Sequence, residues 1–191
     1  MSGQPAHSAE YAANFCLCPC VFIFIMTMGP IYKYLFDDHD RLDILLRRAS
    51  ATPGAIDMKS YSEFRQGLLR HIGIEEKIIL PAIARYQNGE QTEIAQHLRL
   101  DHGALVALLV PSPTQAIIST IRSILEVHNE LEEKDGGLYQ LIERLAGEEA
   151  GALLVMLKAA SDVPALPHND RPGILDATRR AVERAGYKAA F

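Results

Sequence analysis

Phe64-Arg65-Gln66-Gly67-Leu68-Leu69-Arg70-His71-Ile72-Gly73-Ile74-Glu75-Glu76-Lys77-Ile78-Ile79-Leu80-Pro81-Ala82 is the stretch that decides the fold. Phe64, Leu68, His71, Glu75, Ile78 and Ala82 recur at steps of three and four, the period of one helix face. The segment reads as one helix from about Asp57 to Tyr86, with Pro81 disturbing it near its end and Asn88-Gly89 stopping it. Its apolar stripe carries a histidine and a glutamate where core residues belong. Residues four apart lie one above the other, so His71-x-x-x-Glu75 offers one imidazole and one carboxylate to the same point.

The same construction recurs along the chain. Segment four, about Pro113 to Lys134, places Ile117, Ile121, Leu125, His128 and Glu132 in line, giving a second His-x-x-x-Glu motif. Ser112 reads as its N-cap and Pro113 as its first helical residue, and Gly136-Gly137 should break it. Segment one, about Ile31 to Ala49, has Leu35, His39, Leu42 and Leu46 on one stripe. Segment three, about Gln91 to Val110, has Ile94, Leu98, His102, Leu105 and Leu109. The connections are short and no alternating strand pattern occurs. The expected fold class is therefore all-α, an up-down-up-down four-helix bundle with extra C-terminal helical segments.

With 191 residues, 48% hydrophobic and 23% charged, the chain matches an ordinary globular protein of one domain plus flanking pieces. The expected division is a bundle over residues 31–146, an N-terminal extension outside the fold over 1–30, and a C-terminal helical extension over 147–191. A net charge of -5 without a basic block, and no Trp, give no basis for nucleic-acid binding. Cys16, Cys18 and Cys20 are the only cysteines. Three in one cluster are not a disulfide framework, and their spacing matches no zinc pattern. A body without cysteine suits the cytoplasm. The apolar run Phe15–Met28 contains Pro19, is shorter than the roughly 20 residues that span a bilayer, and follows no Lys or Arg. No membrane association is expected, and Met26 or Met28 competes with Met1 as the natural start.

An unpaired carboxylate in a bundle interior costs several kcal/mol, so His39, His71, Glu75, His102, His128 and Glu132 need a partner. A pair of metal ions supplies one. Imidazole and carboxylate suit iron, zinc or manganese, and a body without cysteine argues against a soft metal. His97 stands five residues before His102, about 140° around the helix, and should point elsewhere. His7 and His168 lie in the flanks. Glu76 and Glu133 sit off the stripe and read as solvated, with a supporting role held open. Asp38 and Asp101 read as surface charge.

Asp38-His39-Asp40-Arg41-Leu42, His71-Ile72-Gly73-Ile74-Glu75-Glu76 with Pro81 downstream, Asp101-His102, and His128-Asn129-Glu130-Leu131-Glu132-Glu133 together resemble the hemerythrin-like HHE cation-binding domain, over about Ile31 to Ala146. The resemblance implies a four-helix bundle around two iron ions, with zinc or manganese ranked behind iron. It puts His39 and His71 on one iron, His102 and His128 on the other, Glu75 and Glu132 between them, and an oxo or hydroxo group as third bridge. The partners it implies are O2, NO, another small diatomic or peroxide, used for carriage or for sensing oxygen, iron or redox state.

Two departures bear on that function. Oxygen-carrying hemerythrins have a second histidine four residues away on the third helix, where this chain has Leu98 and Val106. The family also often has an apolar pair and a proline after the second motif. Lys134-Asp135-Gly136-Gly137-Leu138-Tyr139 stands there, implying a looser helix end and a less firmly held Glu132. Two other readings stay open. A dimetal oxidase or hydrolase would use the same ligands but needs a substrate pocket, and the sequence shows no separate catalytic residue. A metal-free or zinc-bound interaction module would need no redox chemistry.

Overall fold

A computed structural model describes residues 28–90 and 92–191. The expectations for Cys16, Cys18, Cys20, Met1 and Met26 concern residues outside that range. Helices α1 (Pro30–Ala49), α2 (Met58–Ile74), α3 (Leu80–Tyr86), α4 (Glu93–Leu108), α5 (Gln115–Glu133), α6 (Leu138–Ala146), α7 (Ala150–Lys158) and α8 (Pro172–Arg184) follow in chain order, with no strand among the described residues. The protein is all-helical.

Helices α2, α4 and α5 each start at a side chain that satisfies free amides of the first turn. Asp57 accepts from the Lys59 and Ser60 amides, and Thr92 accepts from Ala95 at 3.1 Å. The expected Ser112 cap is corrected. Thr114 caps α5, its hydroxyl accepting from the Ile117 amide at 3.1 Å. Ser112 is already engaged, since its amide and hydroxyl both donate to Asp170, at 2.6 and 2.7 Å.

Pro81 acts as expected, in an unexpected form. Proline has no amide hydrogen and crowds the carbonyl four residues back. Ahead of it the helix widens into one π turn, Glu75–Ile79, in which the Leu80 amide donates to the Glu75 carbonyl. Helices α2 and α3 are thus one rod with a wide turn beginning at Glu75. Such turns are frequent at functional sites.

The core divides into two apolar clusters. The lower one contains Leu35, Ile74, Ile79, Leu98, Leu138 and Ile142. The upper one contains Leu42, Leu68, Leu105, Ile121 and Ile124. Along α1 the chain passes from lower cluster through His39 to upper. Along α2 it passes from upper through His71 to lower. Along α4 it rises through His102, and along α5 it descends from Ile124 through His128. The helices therefore alternate in direction, and each crosses the boundary between the clusters at its histidine.

The C-terminal third joins the same core. Leu153 and Leu157 of α7 belong to the lower cluster and Val182 of α8 to the upper. Helix α6 contacts α1, α3 and α5, closing the lower end, while α8 lies along α4. Glu143 of α6 accepts from the Ile31 and Tyr32 amides at 2.8 and 3.0 Å, capping α1 from another helix. No helix among the described residues is long and apolar enough to cross a membrane.

Candidate metal centre

His39, His71, Glu75, His102, His128 and Glu132 are all buried in the layer between the two clusters. They form two groups, His39-His71-Glu75-Glu132 and Glu75-His102-His128-Glu132, whose donor atoms lie within 4.8 Å of one another. Both groups contain both glutamates. One oxygen of Glu75 lies 3.2 Å from His71 Nε2 and the other 3.1 Å from His102 Nε2. Glu132 Oε2 lies 3.4 Å from His39 Nε2 and from His128 Nε2. The structure thus brings the six sequence-derived residues to one place, with the carboxylates in the middle and two histidines at each end.

The reading of Asp38 and Asp101 as surface charge is corrected, and Glu76 and Glu133 take the supporting role held open for them, because each acid faces a histidine of the next helix. Asp38 accepts from His71 Nδ1 at 2.9 Å, and Glu76 from His102 Nδ1 at 2.7 Å. Asp101, fully buried, faces His128 Nδ1 at 3.4 Å, and Glu133 accepts from His39 Nδ1. The four contacts run α1 to α2, the π turn after α2 to α4, α4 to α5 and α5 back to α1, a closed ring around the bundle. An Nδ1–H held by a carboxylate fixes the ring with Nε2 aimed inward, the nitrogen a metal would take. His97 behaves as expected: half-exposed, it turns away from the centre, 3.8 Å from Asp101.

Without a cation this layer is electrostatically unsatisfied. His39 and His71 present their Nε2 atoms to each other at 2.9 Å. With both Nδ1 protons committed, two lone pairs meet unless a proton or a metal lies between them. Glu132 Oε1 is buried with no hydrogen-bond partner, which is costly in a low-dielectric interior. Burial penalises the charge on Glu75, but His71 and His102 outweigh that and hold its carboxyl well below the usual range. Burial, then the charge of Glu75, pushes Glu132 well above it. Burial opposes protonation of His102, yet Glu75 and Glu76 push it up to about 9. Burial lowers His39 and His128. Protons divide unequally among equivalent ligands, whereas two divalent cations would satisfy them all. The donor set fits a pair of borderline metals such as iron.

The segment after the second motif also departs from expectation. Helix α5 stops at Glu133 and the chain reverses through Gly136, at φ +74°. A Cβ at Gly137 would meet the Glu132, Leu131 and Lys134 carbonyl oxygens at 2.6–2.8 Å, so only glycine permits the turn. The reversal carries Tyr139, fully buried, back to the centre. Its hydroxyl lies 3.0 Å from Glu132 Oε2, 2.9 Å from Glu75 Oε1 and 2.9 Å from His39 Nε2. Glu132 is therefore held by Tyr139 rather than loosened. Sequence reasoning missed this residue because it lies beyond a helix break, where periodicity carries no information.

A cavity of about 590 Å³ reaches the layer from one side, with His39, His71 and His128 at its end and Leu42, Leu46, Leu68 and Leu125 along its walls. It is larger than a diatomic requires and falls in the range of small-molecule sites.

No curated protein and no solved structure matches the chain in comparisons with known proteins. The family model described as the hemerythrin HHE cation binding domain matches residues 31–135, more than half of the sequence. That span holds all six inner residues and all four outer carboxylates and stops short of Tyr139. The chain belongs to the hemerythrin HHE cation-binding family.

Proposed function

We propose that this is a non-haem di-iron protein that binds or reacts with O2, NO or peroxide, or responds to oxygen, iron or redox state. One observation carries the reading: two buried His2Glu2 groups share both of their glutamates. His39 and His71 would hold one iron, His102 and His128 the other, and Glu75 and Glu132 both. Iron, when bound, supplies a redox-active Lewis acid to which a small ligand can attach. The chain's own residues do the rest. The outer carboxylates fix each imidazole by its Nδ1 proton. The two apolar clusters exclude bulk water, which strengthens every charge interaction in the layer. The cavity gives access past His39, His71 and His128.

Metal analysis and absorption spectroscopy of aerobically purified and iron-reconstituted protein test this. Two irons per chain with ligand-to-iron charge-transfer bands are expected, and absence of both after reconstitution overturns the reading. An anaerobic-to-aerobic titration of the iron-loaded protein then separates reversible binding from oxidation.

The cavity favours a second reading, a dimetal oxidase acting on an apolar small molecule. Four leucines line it together with Asp43, Arg47, Arg122, Glu126 and Asn129, and its three histidines belong to the buried layer, which supplies the pocket that reading needs. Iron-dependent turnover of small apolar substrates, lost in Leu125→Arg with both metals retained, would support it. Turnover unaffected by that block would exclude the cavity as its route.

A further inference from the structure

Tyr139 contacts more polar atoms than a phenol can satisfy. Its hydroxyl has one proton and accepts through lone pairs, yet four ligand atoms crowd it: His39 Nε2 at 2.9 Å, His71 Nε2 at 3.2 Å, Glu75 Oε1 at 2.9 Å and Glu132 Oε2 at 3.0 Å. Those four atoms form a circuit of their own. His39 lies 2.9 Å from His71, His71 lies 3.2 Å from Glu75, and Glu132 lies 3.4 Å from His39. Glu75 and Glu132 close it, their donor atoms within 4.8 Å.

These distances have a simple geometric meaning. Donors about 2.1 Å from an octahedral metal stand about 3.0 Å apart along each edge and about 4.2 Å apart across it. A vertex of an octahedron has four neighbours at the edge distance, and Tyr139 Oη has four. A hydroxyl placed only to hydrogen-bond one carboxylate would not be equidistant from all four.

We propose that Tyr139 is a ligand of the metal held by His39 and His71, its phenolic oxygen binding after releasing its proton to solvent, as protonated metal ligands do on binding. The inference rests on the dimetal reading above and extends it to a residue outside the matched family span. It makes the two metals unequal. All four contacts of Tyr139 are with the His39–His71 pair or with the shared glutamates. The histidine that oxygen-carrying hemerythrins have on the third helix is absent beside His102, where Leu98 and Val106 stand. One donor is gained on the first metal and one lost on the second. The first metal would then have three donors of its own, His39, His71 and Tyr139, and the second two, His102 and His128.

Resonance Raman spectroscopy of the ferric-loaded full chain tests the assignment. Excitation into the visible band should enhance tyrosine ring vibrations, and Tyr139→Phe should lose the band and those vibrations while keeping two irons. The ultraviolet signature of phenol deprotonation on ferric iron addition provides a second readout on the unmutated chain. Bound iron without tyrosine-enhanced vibrations, or vibrations unchanged in Tyr139→Phe, overturns the ligand role and leaves the dimetal reading intact. Failure of the unmutated chain to bind iron overturns both.

Discussion

At the residue scale, an inward-facing residue and its acidic neighbour do different jobs on different helices. His39, Glu75, His102 and Glu132 point inward, and the residue beside each of them, Asp38, Glu76, Asp101 or Glu133, reaches sideways to the next helix. The inner residues were legible in the sequence because they interrupt apolar stripes. The outer ones were not. One residue off a stripe is polar on any helix, and only the neighbouring helix decides whether it meets water or an imidazole. We expect Glu75→Ala and His128→Ala each to lose at least one metal and lower the melting temperature; unchanged metal content in both would contradict the site. We expect Asp38→Ala, which frees the His71 ring, to weaken metal affinity about 10–100-fold, read by competition with a chelator. Gly137→Ala forces a Cβ against three backbone carbonyls that cannot yield. It should destabilise by about 1–3 kcal/mol and displace Tyr139, seen as a lowered urea midpoint with a weakened tyrosine signal.

At the element scale, the helix interiors were legible and their ends less so. Segments one to four match α1, the α2–α3 rod, α4 and α5 because an amphipathic stripe repeats over several turns. The start of α5 moved to Thr114 because Asp170, far along the chain, engages Ser112. Thr114→Ala should therefore cost about 1 kcal/mol, and Ser112→Ala should leave the α5 cap intact. Glu143→Ala should cost a similar amount, about 1 kcal/mol, because it strips the N-terminus of α1 of a charged acceptor. Chemical denaturation checks both, and a null effect of Glu143→Ala would mean that water caps α1 equally well. The π turn could not be read from spacing, since a period of 3.6 residues does not reveal one wide turn. Pro81 was its only trace.

At the scale of the whole molecule, two apolar clusters flank one charged layer. The clusters do not need metal, whereas the layer sets four imidazoles and several carboxylates against one another in a medium that screens them poorly. We expect chelation to leave the protein helical but to lower its melting temperature. A cation bound to the folded state alone adds about 4 kcal/mol at a thousandfold excess over its Kd. Circular dichroism melts with and without chelator measure this. An unchanged melting temperature on removal of verified metal would show that the layer is satisfied by protons alone. Leu105→Ala, inside the upper cluster, should cost about 2–5 kcal/mol with metal or without, which separates core stability from site stability.

The sequence by itself determined the four amphipathic segments of the bundle, their alternating direction and the six inner residues. All of these follow from helical periodicity, which is local, and from the cost of burying charge, which holds in any fold. Only the tertiary structure decided which acids hold which histidines, that a glycine turn returns Tyr139 to the centre, and that a cavity reaches the layer. Those depend on distances between residues far apart in the chain. No spacing rule encodes them, because they arise only once the helices have packed.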